Sequence, residues 1–321
     1  MLRPPFVALA LIGVMLACAP SAGTEQPAAT PLSFIPHWVP QAQFAGFYVA
    51  YERGFYAQRG IDLIILTGGP DRPASEMLAS GAADVGTLWL STALRMRAHG
   101  TPIVQAAQLV QRSSLMLVAL RASGVSAPRD LDGKKVGVWQ GDFLLQPQAF
   151  FKQYGLSVQM IPQGSSINLF LRGGVDAAVA MWYNEYHTIL NAGLNPDELT
   201  TFFFFDHGLN FPEDGIYCRE HLATTPACAA FAQASLEGWR YAFAHPEEAL
   251  DVVMQYITAA HQPANRVHQR WMLARMHDVI APPDDPVPLG TLRREDFDRV
   301  AHILMDSGTI SAVPDFAAFR R

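Results

Sequence analysis

The sequence predicts an α/β protein of two lobes with a ligand cleft between them, joined by a hinge that the chain crosses twice. Three observations predict it. One layout of elements occurs twice, each copy ends its strands at tryptophans, and a polar Gly/Pro-rich stretch (Asp206–Tyr217) follows the second copy as if to return the chain. In copy one a strand at Phe34 and Ile35 leads to Trp38, a helix over Gln41–Tyr56, a strand Ile61–Leu66, Gly68 and Gly69, then Ala83-Asp84-Val85 running up to Trp89. In copy two Lys135–Val138 leads to Trp139, a helix Pro147–Tyr154, a strand Val158–Ile161, Gly164, then Val175-Asp176-Ala177 running up to Trp182. In open α/β sheets ligands bind outside the carboxyl ends of the strands. Trp38, Trp89, Trp139 and Trp182 stand at those ends. The expected function is to bind something flat.

The elements follow in chain order. Arg3 precedes an apolar run, Phe6–Leu16. That run is shorter than the ~20 residues a membrane span needs and has the charged-then-apolar layout of an export signal. Met15-Leu16-Ala17-Cys18 resembles a bacterial lipobox, in which Cys18 would be lipidated; a signal cleaved after an alanine is the alternative. Residues 1–30 are thus expected to be leader and tether, the tether rich in Ala, Pro, Ser and Thr. The protein is expected to be exported, periplasmic or on the cell surface, and held to the membrane by lipid.

In the first helix Phe44, Phe47, Tyr48, Tyr51 and Phe55 fall on one stripe that faces a sheet. They read as core. Trp38, in the loop before that helix, sits where a cleft residue would sit. The helix N-terminus offers free N–H groups toward the cleft, with Gln41 and Gln43 as added side-chain contacts. Gly69 permits either a close backbone approach by a ligand or a plain tight turn. The near-continuous apolar run Ile61–Leu66 reads as a strand buried on both faces.

Residues 31–117 plus 215–321 are expected to form lobe one and 118–214 lobe two. The first crossing is placed around Val118–Arg121 and the second in Asp206–Tyr217. Four successive phenylalanines, Phe202–Phe205, read as a buried central strand. The C-terminal third is helical, over Pro226–Ala244, Pro246–Thr258, Pro263–His277 and Arg294–Ser307, and packs on lobe one with Trp239 and Trp271. Cys218 and Cys228 can pair in an exported protein or stand as two separate buried thiols. The spacing leaves both open.

Composition excludes several classes. Half the residues are hydrophobic and 16% charged, which is globular rather than disordered. A net charge of -6 without a Lys/Arg run gives no nucleic-acid footprint. No CxxC motif or His/Cys cluster suggests a metal, and no cofactor is expected.

The stretches Trp38–Tyr56, Leu78–Gly86, Gly133–Trp139 and Asn210–Gly215 resemble the NMT1/THI5-like family, relatives of the sulfonate and nitrate binding proteins. The resemblance covers roughly Phe34–Arg240. It implies a type II periplasmic-binding-protein fold, a solute-binding component of an ABC importer with permease and ATPase partners, and no enzymatic activity. Within the family the sequence is most similar to binding proteins for aromatic heterocycles, the formylaminopyrimidine precursor of thiamine and riboflavin. Sulfonate or nitrate binding is an alternative, served by small polar contacts rather than this many aromatics.

The segment Met181-Trp182-Tyr183-Asn184-Glu185-Tyr186 carries the specificity. A carboxylate in a cleft accepts hydrogen bonds from an amino-pyrimidine edge while Trp or Tyr faces stack on the ring. Glu185 is expected in that role, with Trp182 and Tyr183 beside it; a surface glutamate on the first turn of a helix is the alternative. Asp142, after Trp139, is either a second polar contact or a helix cap. The expected ligand set is Trp38, Gln43, Gly69, Trp89, Trp139, Asp142, Trp182, Tyr183 and Glu185.

The family also holds an enzyme, a thiamine pyrimidine synthase that uses pyridoxal phosphate, a Schiff-base Lys, a nearby His and a Cys-rich motif. Placing its Gly-x-Lys-x-x-x-His stretch on Gly86 puts Leu88 and Thr92 at the Lys and His positions. No Lys precedes Lys134, and Asn210–Cys218 holds one Cys. The resemblance therefore carries the fold without that chemistry.

Overall fold

The computed structural model describes residues 29–285 and 287–320. The expected export signal and lipidated Cys18 lie outside the described residues. The described residues form ten strands: β1 (Thr30–Ile35), β2 (Ile61–Ile65), β3 (Val85–Leu88), β4 (Ile103–Gln108), β5 (Leu115–Leu120), β6 (Lys135–Val138), β7 (Gln159–Pro162), β8 (Ala177–Met181), β9 (Leu199–Phe203) and β10 (Gly215–Arg219). They form two sheets with orders β2-β1-β3-β10-β4 and β7-β6-β8-β5-β9.

The duplication visible in the sequence extends through both sheets. β1 runs parallel to β2 and β3, as β6 does to β7 and β8. β10 and β5 each run antiparallel to both of their neighbours. Each antiparallel strand is the first one the chain makes after leaving the other sheet, β5 following β4 and β10 following β9. The two units therefore exchange one strand each.

This moves the first crossing. Val118 pairs with Ala178 and Thr201 in the middle of β5, so the chain has changed sheets by Leu115 rather than near Val118–Arg121. The two crossing segments, 109–114 and 209–214, are bonded to each other. Both Leu109 N–H and Val110 N–H donate to the Asp214 carbonyl at 3.1 Å, and Ser113 N–H donates to Asn210 Oδ1 at 2.9 Å. Glu213, buried, accepts from Ser114 N–H at 2.6 Å and from the Ser113 hydroxyl at 3.0 Å.

The four phenylalanines also differ from expectation. β9 pairs with β5 alone and is an edge strand, and Phe204 begins a turn over Phe204–His207. Phe202 and Phe204 are buried while Phe203 and Phe205 are partly exposed. An uninterrupted apolar run masked an alternating, half-buried edge.

The helix Ala45–Glu52 crosses the helix Ala227–Ala244 at close range. A Cβ on Gly238 would lie 2.0 Å from the Gly46 carbonyl oxygen, so only glycine permits this approach. Phe47, Phe231 and Trp239 fill the surrounding core at 0% exposure. The remaining long helices, Pro246–Ala259, Arg266–Ile280 and Arg294–Asp306, close the C-terminal third. Cys218 of β10 and Cys228 form a disulfide with a Cα–Cα distance of 6.1 Å, which decides between the two readings of these cysteines. Among the described residues no helix is long and apolar enough to cross a membrane.

Candidate functional site

The strands of both sheets deliver their loops to one cavity of about 390 Å³, with an adjoining chamber of about 150 Å³. The first sheet supplies His37, Trp38, Gln41 and Gln43 from the segment after β1. The second supplies Trp139, Gln140 and Phe143 after β6, Gly164 and Ser165 after β7, and Met181, Tyr183, Asn184 and Glu185 around the end of β8. The walls are largely aromatic and lack cationic side chains: among the described residues no Arg or Lys lines either chamber.

Polar groups stand at the two ends. Glu185 opens the short helix Glu185–Asn191, where its carboxylate accepts from Met181 N–H at 3.0 Å and from Asn184 Nδ2 at 2.8 Å. Burial pushes this carboxyl up to about 7 against the hydrogen bonds that lower it. Burial likewise holds the Tyr183 hydroxyl well above its ordinary value, with Glu213, Asp214 and Glu185 adding to the effect. On the other side Gln43 Nε2 donates to Asp214 Oδ2 at 2.8 Å, and Gln41 donates to Gln43. His37 Nδ1 lies 2.7 Å from Asp214 Oδ1, although the angles there fall short of hydrogen-bond geometry. His37 N–H donates to Thr87 Oγ1 at 2.9 Å, which fixes the loop on β3.

The structure thus places Trp38, Gln43, Trp139, Tyr183 and Glu185 in one cavity. Trp139 is oriented by donating its indole N–H to the Gly164 carbonyl at 3.0 Å. Trp89 lines only the adjoining chamber and packs edge-on to Phe143, ring centres 4.7 Å apart. Gly69 also faces that chamber, where its carbonyl accepts from Arg72 N–H at 3.0 Å in a tight turn.

Two of the expected residues do something else. Trp182 lines neither chamber; it packs edge-on to Phe203 and beneath the Arg275 guanidinium at 4.8 Å. β8 ends at Met181 and the chain turns over Trp182–Asn184, Asn184 N–H donating to the Met181 carbonyl at 3.1 Å; within that turn Tyr183 lines the cavity and Trp182 packs outside it. Asp142 lies beside the adjoining chamber, but both of its oxygens are engaged across the cleft. Arg95 Nη2 lies 2.6 Å from one and Thr92 Oγ1 donates to the other at 2.6 Å. It is a clasp between the lobes, and no side-chain cap is present on its turn.

The helix N-terminus is not free either. Ala42 N–H donates to Gln269 Oε1 at 2.7 Å, so the C-terminal third covers the N–H expected to face the ligand. Sequence reasoning missed His37, Asp214 and Phe143. His37 and Phe143 stood within four residues of tryptophans already singled out, whereas Asp214 is 171 residues from its partner Gln43.

A profile described as NMT1/THI5 like matches residues 41–249. The chain belongs to that family. It is 24% identical over 286 residues to a formylaminopyrimidine-binding protein of Halalkalibacterium halodurans, covering 85% of this chain and 84% of that one. A 4-amino-5-hydroxymethyl-2-methylpyrimidine phosphate synthase of Saccharomyces cerevisiae is 24% identical over 156 residues, 47% of this chain. This chain matches about half the length of that synthase, 46%. Among solved structures the periplasmic aliphatic sulphonate binding protein SsuA of Escherichia coli superposes with a TM-score of 0.67 at 15% identity, covering 92% of each chain. The alkanesulfonate-binding protein SsuA of Xanthomonas axonopodis pv. citri, bound to MOPS, gives 0.66 at 15% identity, covering 91% of this chain and 99% of that one. The fold is the type II periplasmic-binding-protein fold, two α/β units about a cleft.

Proposed function

We propose that this protein is the extracytoplasmic solute-binding component of an ABC importer and captures a small aromatic heterocycle bearing amino groups. The reading favours a pyrimidine precursor of thiamine such as formylaminopyrimidine, with riboflavin as the next choice. The observation that carries it is the cavity lining: Trp38, Trp139, Phe143 and Tyr183 with the Glu185 carboxylate and no Arg or Lys. Aromatic faces suit ring stacking, and a carboxylate that only accepts suits an amino edge. The same lining disfavours a sulfonate or nitrate, whose charge would meet a carboxylate and no cation.

The enzymatic alternative has little support in the cavity. Leu88 and Thr92 occupy the positions where the synthase pattern needs Lys and His, and the chain's lysines, Lys134, Lys135 and Lys152, do not line it. The protein is read as a binder that works with permease and ATPase subunits and without a cofactor.

Thermal-shift measurements with formylaminopyrimidine, riboflavin, taurine and nitrate test the reading. A true ligand at about 100 times its Kd adds about 2.7 kcal/mol to the unfolding free energy. Stabilisation by formylaminopyrimidine or riboflavin is expected. Stabilisation by taurine or nitrate alone would count against the aromatic ligand.

Export and anchoring form part of the same proposal. The Cys218–Cys228 disulfide suits an oxidising compartment. Cys18→Ser is expected to shift the protein from the membrane fraction to the soluble one, because stable anchoring needs two or more acyl chains or an equivalent second signal. Unchanged membrane retention would refute lipidation at Cys18.

A further inference from the structure

We propose that His268, on the lobe-one side of the cleft, is a positioning residue for Glu185: acting through Asn184, it sets the pocket carboxylate in its binding orientation when the lobes meet. The inference rests on Glu185 being the ligand-facing carboxylate.

His268 lies on the helix Arg266–Ile280, which packs on the segment after β1 through Gln269 and so belongs with the first sheet. Asn184 and Glu185 follow β8 of the second sheet. Across the cleft His268 Nε2 is 2.8 Å from Asn184 Oδ1, and Asn184 Nδ2 donates to Glu185 Oε1 at 2.8 Å. An amide oxygen only accepts, so His268 Nε2 carries the hydrogen. With the amide turned round, Asn184 would present its oxygen to the Glu185 carboxylate, acceptor against acceptor. The His268 N–H selects the orientation that gives Glu185 a donor.

The rest of the contact accommodates that tautomer, with the hydrogen of His187 on Nδ1 and the Asn191 amide turning its oxygen toward it. Burial lowers the pKa of both His268 and His187, which favours neutral rings, and each ring's charge would oppose the other's. A neutral His268 with its hydrogen on Nε2 leaves Nδ1 to accept, and His187 Nδ1 stands 2.9 Å from it. His187 is itself stacked on Trp271, centres 4.8 Å apart and planes 11° apart. The Asn191 amide is the longer contact to the same His187 nitrogen, at 3.2 Å. Trp271 donates its indole N–H to the Trp182 carbonyl at 3.1 Å, and Arg275 lies over both tryptophan rings. The charge that acts on His268 is that of His187; Glu185 is reached through Asn184, and Arg275 and Tyr186 lie against Trp271.

The test is the Kd of formylaminopyrimidine for wild type, His268→Ala and His268→Gln, with the melting temperature of each ligand-free protein as control. His268→Ala is expected to weaken binding about 10-fold, the loss of one hydrogen bond acting on a charged group. His268→Gln, whose amide nitrogen takes the place of Nε2, is expected to return within about 2-fold of wild type. Wild-type affinity in His268→Ala, or a Gln variant as weak as the Ala variant, overturns the proposal. If wild type itself does not take formylaminopyrimidine, the pyrimidine reading falls. Positioning is then decided by carbon-13 NMR titration of the Glu185 carboxyl. Loss of a donor to the charged form should move that titration to higher pH in His268→Ala; coincident titrations overturn the proposal.

Discussion

Glu185→Gln is expected to weaken capture of formylaminopyrimidine by about 1.5–3 kcal/mol, roughly 10- to 150-fold in Kd, as for a hydrogen bond to a charged group. The cause is specific to the local geometry. Both oxygens of Glu185 already accept, one from Met181 N–H and one from Asn184 Nδ2. A glutamine must turn its NH₂ toward one of those donors, so it keeps the shape of the side chain and loses part of its acceptor capacity. Isothermal titration of the purified domain gives the number. A Gln variant that binds as wild type would remove Glu185 from the recognition of the ligand.

The sequence made the two-unit plan legible because its signals are local and repeated. A buried parallel strand is an apolar run, and a Gly-x-x-Asp approach to a strand recurs at Gly81–Asp84 and Gly173–Asp176. Asp84 accepts from Ser33 N–H and Asp176 from Lys135 N–H, each at 2.8–2.9 Å, so in both copies the aspartate ties the third strand to the first. That shared bond is the physical content of the repeat. The return of Gly215–Arg219 to the first sheet was read from the polar stretch Asp206–Tyr217, but the sheet that all of Leu115–Leu120 joins, and the antiparallel direction of both strands, were not legible, since nothing in these runs tells them. The crossing was placed late for the same reason: the strand-like pattern of β5 carries no mark at the change of sheet.

For the site, a position at the end of a strand was enough to single out Trp38, Trp139, Tyr183 and Glu185. It failed where facing mattered. Trp182 and Tyr183 are neighbours with the same apparent qualification, and the turn that follows β8 puts only Tyr183 on the cavity. Asp142 failed for a different reason, because its partners Thr92 and Arg95 stand about 50 residues away in the other lobe. Asp214 was read as part of a hinge; it lies in a segment that crosses between the sheets, where it also supports His37 and Gln43 at the edge of the cavity. The crossing segment and the edge of the pocket thus share Asp214.

Glu213, the neighbour of Asp214 in the hinge, should make the folded state less stable as pH rises. Its carboxyl is buried at 1% exposure, and burial pushes it up to about 7 despite donors from Ser113 and Ser114. In the unfolded chain it titrates near 4.3. Between those values the folded state holds the extra proton, so stability from this group is full below about 4.3 and is lost as pH climbs through about 7. A shift of that size corresponds to about 3.7 kcal/mol in full, of which about 3 kcal/mol falls between pH 4.5 and 8. Glu213→Gln keeps an oxygen for Ser114 N–H and offers its NH₂ to the serine hydroxyls, which can accept. Glu185 has a raised pKa as well, but it is present in both proteins and cancels in the comparison. The unfolding free energy of Glu213→Gln minus that of wild type, from urea titrations with the disulfide intact, should therefore grow by about 3 kcal/mol between pH 4.5 and 8. A difference that stays constant across that range would mean the hinge carboxylate is charged throughout, held by its serine donors against the cost of burial.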